Sequence, residues 1–585
     1  MAVNAPPRRK RSSAWIVVLL VAAALFVGLP LLFCSMLAGK APAIKNGTVL
    51  SLRIEGDLRE GPANNPFAKL TSGGSQVLSL HELRQIAEAV KKDDKIAGVM
   101  LEIGSLGVQF GTLEDVRDII ADIRSSKKPV QAILTSDFID EKSYYVAIAA
   151  DRIVMNPESG LALNGFDAAV PFYYGTIKKL HADAQFIGFK KYKSAVEPYT
   201  HEHMSPEFRE VLESILGDYH QRLIAEISAR RGIDPVTLQQ LFDKGGLTAT
   251  EAVKAKLIDD TGWWDQVEEA LRSAGAPDAK EPNVVSGPRY LFGHKPSHGG
   301  DKIAVIYAVG AITAAHGSTG VFGGEGISGP DLAETIRDAA DDTSVKAILM
   351  RVNSPGGSAV GSDFIRREIV RAKKKKPFVV SMGGVAGSGG YWIAMDADEI
   401  VAQPSTITGS IGVFFGKFNL SGTYNWAGAN VDEVKVGGAN SDILSPYHNL
   451  TAEQEARMKA QIGGVYDDFV NHVAEGRKKT YKEIDDIAGG RIWTGSQGKG
   501  NGLVDEVGGF NVALEATKAK AKITGDAQLI VFPKEKSGIE ALADLLSGGA
   551  ESAVKTRDLD AVLRTVKTEL ETPAIYALTP EIEVR

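Results

Sequence analysis

The apolar and polar positions of this chain fall into three regimes. From Ala14 to Ala38 no charged residue occurs. From about 46 to about 525, apolar runs of strand length alternate with amphipathic stretches of helix length. Past about 530 only a weak helical period remains. Strands alternating with helices predict an α/β fold in which crossover helices link parallel strands.

The middle regime repeats itself at an offset of about 247 to 249 residues. Gly98-Val99-Met100-Leu101-Glu102-Ile103 reads as a buried strand, and so does Ala347-Ile348-Leu349-Met350-Arg351-Val352. Each leads into a helical stretch that ends in lysines and a proline, Lys127-Lys128-Pro129 and Lys375-Lys376-Pro377. Tyr144-Tyr145-Val146-Ala147 then matches Tyr391-Trp392-Ile393-Ala394, and the pairing closes on Pro157 and Pro404. Residues 46–275 form copy one and 302–525 copy two. Residues 276–301, rich in Pro, Gly, Ser and His, read as a linker. Residues 526–585 form an extension without a counterpart in copy one. The lysines at 373–376 end a helix, where they complement its dipole, so they are not read as an anion site.

The first regime bears on location. A helix over residues 14–38 is long enough to cross a bilayer. Arg8, Arg9, Lys10 and Arg11 precede it, which places residues 1–13 in the cytoplasm and the rest of the chain on the far side. The run exceeds a signal-peptide core in length, which favours an uncleaved anchor. Phe33 directly before Cys34 argues against a lipoprotein site.

Composition then removes several kinds of chemistry. Cys34 is the only cysteine, so the part after the anchor can hold neither a disulfide nor a thiolate metal site, and a cysteine peptidase is excluded. At 44% apolar and 24% charged residues the chain is of ordinary globular composition, and a net charge of −7 gives no reason to expect a nucleic-acid partner. No cofactor motif or metal-ligand spacing stands out. Thr200-His201-Glu202-His203 reads as a surface loop rather than a metal site.

The remaining chemistry lies where the copies differ. Copy two has Gly387-Ser388-Gly389-Gly390 at a strand-to-helix junction, where copy one has Glu141 opposite Ser388. A serine there is exposed, a helix N-terminus supplies N–H groups, and Gly389 can offer its amide to an oxyanion. Copy two also has Asn353-Ser354-Pro355-Gly356-Gly357 at the end of a strand, where Gly356 can donate a second amide. A serine nucleophile needs a base. None of His316, His448 and His472 is marked for that role. Copy one offers Lys190, Lys191 and Lys193, and copy two has Asn440 or Ser441 opposite Lys193. A lysine serves as base only when burial lowers its pKa, and pattern alone does not choose among the three.

Tyr192-Lys193-Ser194-Ala195-Val196-Glu197-Pro198, Asn353-Ser354-Pro355-Gly356-Gly357 and Ser388-Gly389-Gly390-Tyr391-Trp392 together resemble the long, two-repeat form of the bacterial signal peptide peptidase A family, also called protease IV. The resemblance implies tandem crotonase/Clp-protease-like domains after an N-terminal transmembrane helix. It implies a Ser/Lys dyad of Ser388 and Lys193, oxyanion amides from Gly356 and Gly389, and Ser410 hydrogen-bonded to the lysine. It also implies a homotetramer held in the bacterial inner membrane through residues 14–38, with its catalytic part on the periplasmic side. The substrates would be apolar peptides, signal peptides above all. Two other readings are a crotonase-like acyl-CoA enzyme, which the export topology disfavours, and a non-catalytic membrane scaffold.

Overall fold

The computed structural model describes residues 44–62, 78–294, 299–317, 326–534, 574–579 and 583–584. Copy one contains β1 (Thr48–Gly56), β2 (Ile96–Leu106), α1 (Phe110–Ser125), β3 (Val130–Leu134), α2 (Glu141–Ala147) and β4 (Arg152–Met155). It continues through β5 (Ala168–Ala169), β6 (Asp183–Gly188), β7 (Asp260–Thr261) and β8 (Asn283–Ser286). Copy two contains β9 (Asp301–Val309), β10 (Val345–Ser354), β11 (Gly356–Ser358), α3 (Ala359–Ala372), β12 (Phe378–Gly387) and α4 (Gly389–Trp392). After these come β13 (Glu399–Ala402), β14 (Ile407–Gly409), β15 (Phe414–Asn419), β16 (Glu506–Val507), β17 (Ala527–Phe532), β18 (Ala574–Leu578) and β19 (Glu583–Val584).

Both copies build the same parallel sheet. Copy one runs in the order β7-β4-β3-β2-β1-β8, and copy two repeats it as β16-β13-β12-β10-β9-β17. Parallel strands covered on both faces must be apolar almost throughout. Val99, Leu101 and Ile103 in β2 and Ile348, Met350 and Val352 in β10 accordingly have 1% exposure or less.

The shared order corrects two sequence expectations. Asn283–Ser286, inside the stretch read as a linker, pairs with β1 and completes the first sheet. Ala527–Phe532, inside the extension read as having no counterpart, pairs with β9 in the equivalent place. Short edge strands carry too little periodic signal to stand out from Pro/Gly-rich surroundings. Residues 14–38 lie outside the described residues, and among the described residues no helix is long and apolar enough to cross a membrane.

The copies meet along a polar seam. Arg351 of β10 is fully buried. It donates to Glu60 at 3.0 and 3.2 Å, to Ser381 Oγ and to the Met382 carbonyl, and it also pairs with Asp115 of α1. Glu114 of α1 accepts from the Ser405 amide at 2.8 Å and from its hydroxyl at 2.7 Å, and burial pushes its carboxyl up to about 7. Gly111 of α1 lies so close to the Gly383 carbonyl and Thr406 that a Cβ there would come within 3.0 Å. Such groups are costly to bury unpaired, so the seam accepts one register of copy one on copy two.

Candidate active site

The nucleophile candidate sits on an unusual stretch of backbone. Ser388 has φ 55° and ψ −113°, and its amide donates to the Gly409 carbonyl at 2.8 Å. A non-glycine residue in this region costs about 1–3 kcal/mol and persists only where its surroundings hold it. Here β12 holds it on one side and α4 on the other. The helix expected after this junction is only the four-residue α4, Gly389–Trp392, followed by turns. Gly389 and Gly390 are close-approach positions. A Cβ on Gly389 would sit 3.0 Å from the Gly357 amide nitrogen, and one on Gly390 would strike the Ser354 carbonyl. The two glycine runs quoted from the sequence therefore pack directly against one another.

The lysine arrives from copy one. β6 pairs antiparallel with β15 of copy two, with Gly188 opposite Phe414, and Phe189 continues the path by donating to the Val413 carbonyl. Tyr192 then donates to the Gly489 carbonyl. Gly490, at φ 90°, leaves room for the Lys193 backbone, where a Cβ would come within 2.6 Å of Lys193 Cα. This route carries the Lys193 side chain into copy two. Its Nζ lies 2.8 Å from Ser388 Oγ, 3.1 Å from Ser410 Oγ and 3.2 Å from the Ser410 carbonyl oxygen. Ser388 Oγ donates in turn to the Gly412 carbonyl at 3.3 Å.

Burial decides which lysine is chemically special. Lys193 is 3% exposed, and burial alone holds its amine well below the usual lysine range. Lys190 and Lys191 are exposed, and Lys190 lies 3.2 Å from Asp485. A neutral amine against a serine hydroxyl can take up the hydroxyl proton, which an ammonium cannot. His201 and His203 are exposed loop residues.

The Gly356 amide donates to Ser354 Oγ at 3.1 Å, and Ser354 Oγ donates to the Gly310 carbonyl at 2.7 Å. The sequence also gave no sign of the strand that covers this loop. β18 runs antiparallel to β11, with Gly356 opposite Leu578, and its other edge pairs with β15. The Thr579 amide donates to the Pro355 carbonyl at 2.7 Å, and Thr579 lies against Gly387. Contrary to the exposure expected of a serine at this junction, Ser388 is fully buried, with β18 laid along the glycine loop. Arg351 was the other omission. A signal for it existed, since a lone arginine within an apolar strand must meet a buried acid.

In copy one the equivalent place is chemically inert. Glu141 accepts the amides of Asn164 and Gly165 at 2.6 and 2.8 Å, and burial raises its carboxyl pKa.

The profile of Peptidase family S49 matches residues 122–276 and 370–524, one match in each copy. Protease 4 of Salmonella typhi is 34% identical over 549 residues, covering 89% of this chain and 87% of that protein. Protease 4 of Haemophilus influenzae is 29% identical over 587 residues, covering 94% of each. Among solved structures, ClpP1 from Listeria monocytogenes overlays on 35% of this chain and 91% of its own length, at 15% identity and a TM-score of 0.22. With one family match in each copy and homology to Protease 4 along most of its length, the chain belongs to peptidase family S49 and is a serine peptidase.

Proposed function

We propose that this peptidase is a membrane-anchored endopeptidase working by a Ser388/Lys193 dyad. The observation that carries the reading is the 2.8 Å approach of a buried, charge-depleted amine to the hydroxyl of a strained serine. Ser388 Oγ attacks the scissile carbonyl carbon while its proton passes to Lys193 Nζ. The amides of Gly356 and Gly389 hold the oxyanion, with the substrate oxygen replacing Ser354 Oγ as the acceptor of the Gly356 amide. Lys193 then gives the proton to the leaving amine. A water attacks the acyl-enzyme with Lys193 again as base, which releases the acid and restores Ser388. Ser410 keeps the amine aimed at the serine.

Residues 46–275 supply the base and 302–525 the nucleophile. Residues 14–38 anchor the chain in the inner membrane of a bacterium, with residues 1–13 in the cytoplasm and the peptidase part on the periplasmic side. The substrates are apolar peptides, in particular signal peptides left after export, and the working form is a homotetramer.

A fluorophosphonate serine probe tests the dyad. Wild type labels once per chain, and Ser388→Ala does not label. Lys193→Met labels at a small fraction of the wild-type rate, while Lys190→Ala and Lys191→Ala label normally. A wild-type chain that neither labels nor cleaves an apolar peptide would sink the reading.

A further inference from the structure

In the proposed dyad the base and the serine that aims it come from different copies, so some group must fix one against the other. Lys193 belongs to copy one and Ser410 to copy two. Ser410 stands at φ 51°, as Ser388 does at 55°, in the left-handed region. A non-glycine residue stays there only where its neighbours hold it.

The holding segment is 488–493. The Ser410 amide donates to the Arg491 carbonyl at 2.8 Å. The strand Ile492–Thr494 extends the contact by pairing antiparallel with β14, Ile492 opposite Gly409. The Gly490 amide donates to the Ile411 carbonyl at 2.8 Å. The same segment carries the lysine. Tyr192 donates to the Gly489 carbonyl at 3.0 Å, and the Lys193 main chain lies directly on Gly490. Arg491 therefore stands where the supports of the two partners meet.

Its side chain reaches across to copy one. Arg491 Nη1 donates to Glu210 Oε1 at 2.5 Å, and Glu210 lies on the copy-one helix Pro206–Arg231. The guanidinium carbon lies 4.9 Å from the ring centre of Tyr192, the residue before the base, and 4.6 Å from that of Trp493. Tyr192 Oη donates to the second oxygen of Glu210 at 3.3 Å, which closes a ring of contacts over the seam. Lys191 Nζ lies over the same tyrosine ring at 4.5 Å. The arginine holds the Glu210 carboxyl below the usual carboxylate range. A planar guanidinium can donate at its edge to a carboxylate while its face covers an aromatic ring.

Copy one has the same local fold without this device. Thr248 and Thr494 cap equivalent helices, each in a reciprocal pair with the residue three further on, Glu251 and Gln497. Counting back from the caps sets Leu247 against Trp493 and Gly245 against Arg491. Leu163 stands against Ser410. The copy that lacks both serines has no side chain where the arginine would be.

We infer that Arg491 is a positioning residue of this peptidase, fixing Lys193 and Ser410 in one frame by bridging copy two to Tyr192 and Glu210 of copy one. The inference rests on the dyad proposed above. Arg491 acts through these neighbours on the distance between the amine and Ser388 rather than on the reacting atoms. Loosening the frame also admits water to an amine whose low pKa comes from burial alone, so the base becomes easier to protonate.

The test follows cleavage of an apolar fluorogenic peptide by the full chain in detergent. Arg491→Met keeps an apolar stem and loses the donors. Its kcat falls by about tenfold with KM unchanged. The acid limb of its kcat/KM profile moves to higher pH by about half a unit. Glu210→Gln gives the same two changes on a smaller scale, about threefold in kcat. In the Arg491→Met background it adds nothing, because its partner is gone. The Glu210 side chain is 53% exposed, so Glu210→Gln folds and decides the matter should Arg491→Met fail to fold. A merely structural role lowers the melting temperature and leaves the acid limb where it was. An unmoved limb, a loss confined to KM, or a fully additive double variant would each overturn the inference. Failure of the dyad is separately visible, as Lys193→Met taking up the fluorophosphonate probe at the wild-type rate. If Lys193→Met stays silent while Arg491→Met and Glu210→Gln match wild type, only the role of Arg491 falls.

Discussion

Copy one and copy two share a sheet of identical order, yet the proposed dyad divides one catalytic centre between them. Copy two has kept Ser388 and the two glycine runs and has Asn440 or Ser441 where the lysine would stand. Copy one has kept Lys193 and holds Glu141 in place of the serine, with that carboxylate satisfied by two backbone amides. In the proposed dyad a base borrowed from the other copy must be held to a fraction of an ångström, and the Arg351, Asp115 and Glu60 cluster permits one docking.

The sharpest way to break this comparison is to exchange the chemistry of the copies. Lys193→Met lowers turnover of an apolar peptide by about 10⁴-fold or more, the scale of losing one member of a nucleophile–base unit. Glu141→Ser in a Ser388→Ala background restores neither turnover nor probe labelling, because no lysine reaches that position. Recovered labelling at position 141 would show that copy one still holds a working site.

Ser410→Ala comes next. It leaves the dyad in place but removes the hydroxyl 3.1 Å from Lys193 Nζ, so kcat falls by about 10²-fold with little change in KM. An unchanged kcat would show that the Gly412 and Ser410 carbonyls position the pair by themselves.

The third effect is on pH. As the proposed base Lys193 acts in its neutral form, so activity falls by about tenfold per unit as pH drops below its depressed pKa, measured as kcat/KM. Glu141 has no place in that limb, and Glu141→Gln leaves it unmoved.

A smaller effect follows from β18. Deleting residues 574–585 uncovers the glycine loop and the edge of β15, so KM for an apolar peptide falls several-fold while the probe labels faster. Equal kinetics before and after deletion would mean that substrate enters by another path.

The smallest effects are on stability. The amine of Lys193 binds a proton more readily unfolded than folded, so over the window between its depressed pKa and the ordinary lysine value the fold gains stability as pH rises. Lys193→Met therefore melts at a higher temperature than wild type at neutral pH. Glu114 has the opposite sign. Its folded pKa is raised to about 7, so its contribution is present in acid and is lost as pH rises through that value. Glu114→Gln flattens the melting temperature between pH 5 and pH 8, and an unaltered slope would remove Glu114 from the seam's pH response.

By itself the sequence determined much of this protein. Periodic apolar runs such as Val99 to Ile103 and Ile348 to Val352 can be buried only as strands, and their repetition at a near-constant spacing fixed two α/β copies. The difference between the copies at Ser388 and Glu141 singled out the serine before any geometry was known. The choice among Lys190, Lys191 and Lys193 needed the fold or a family resemblance, because a lysine's chemistry depends on how much water surrounds it and neighbouring letters do not encode that. The tertiary structure decided three further things: that β6 carries Lys193 into the other copy, that Arg351 meets acids more than two hundred residues distant, and that β18 lies along the glycine loop at Gly356. Each is a contact between segments remote in sequence, set by the docking of two finished bodies rather than by any local period.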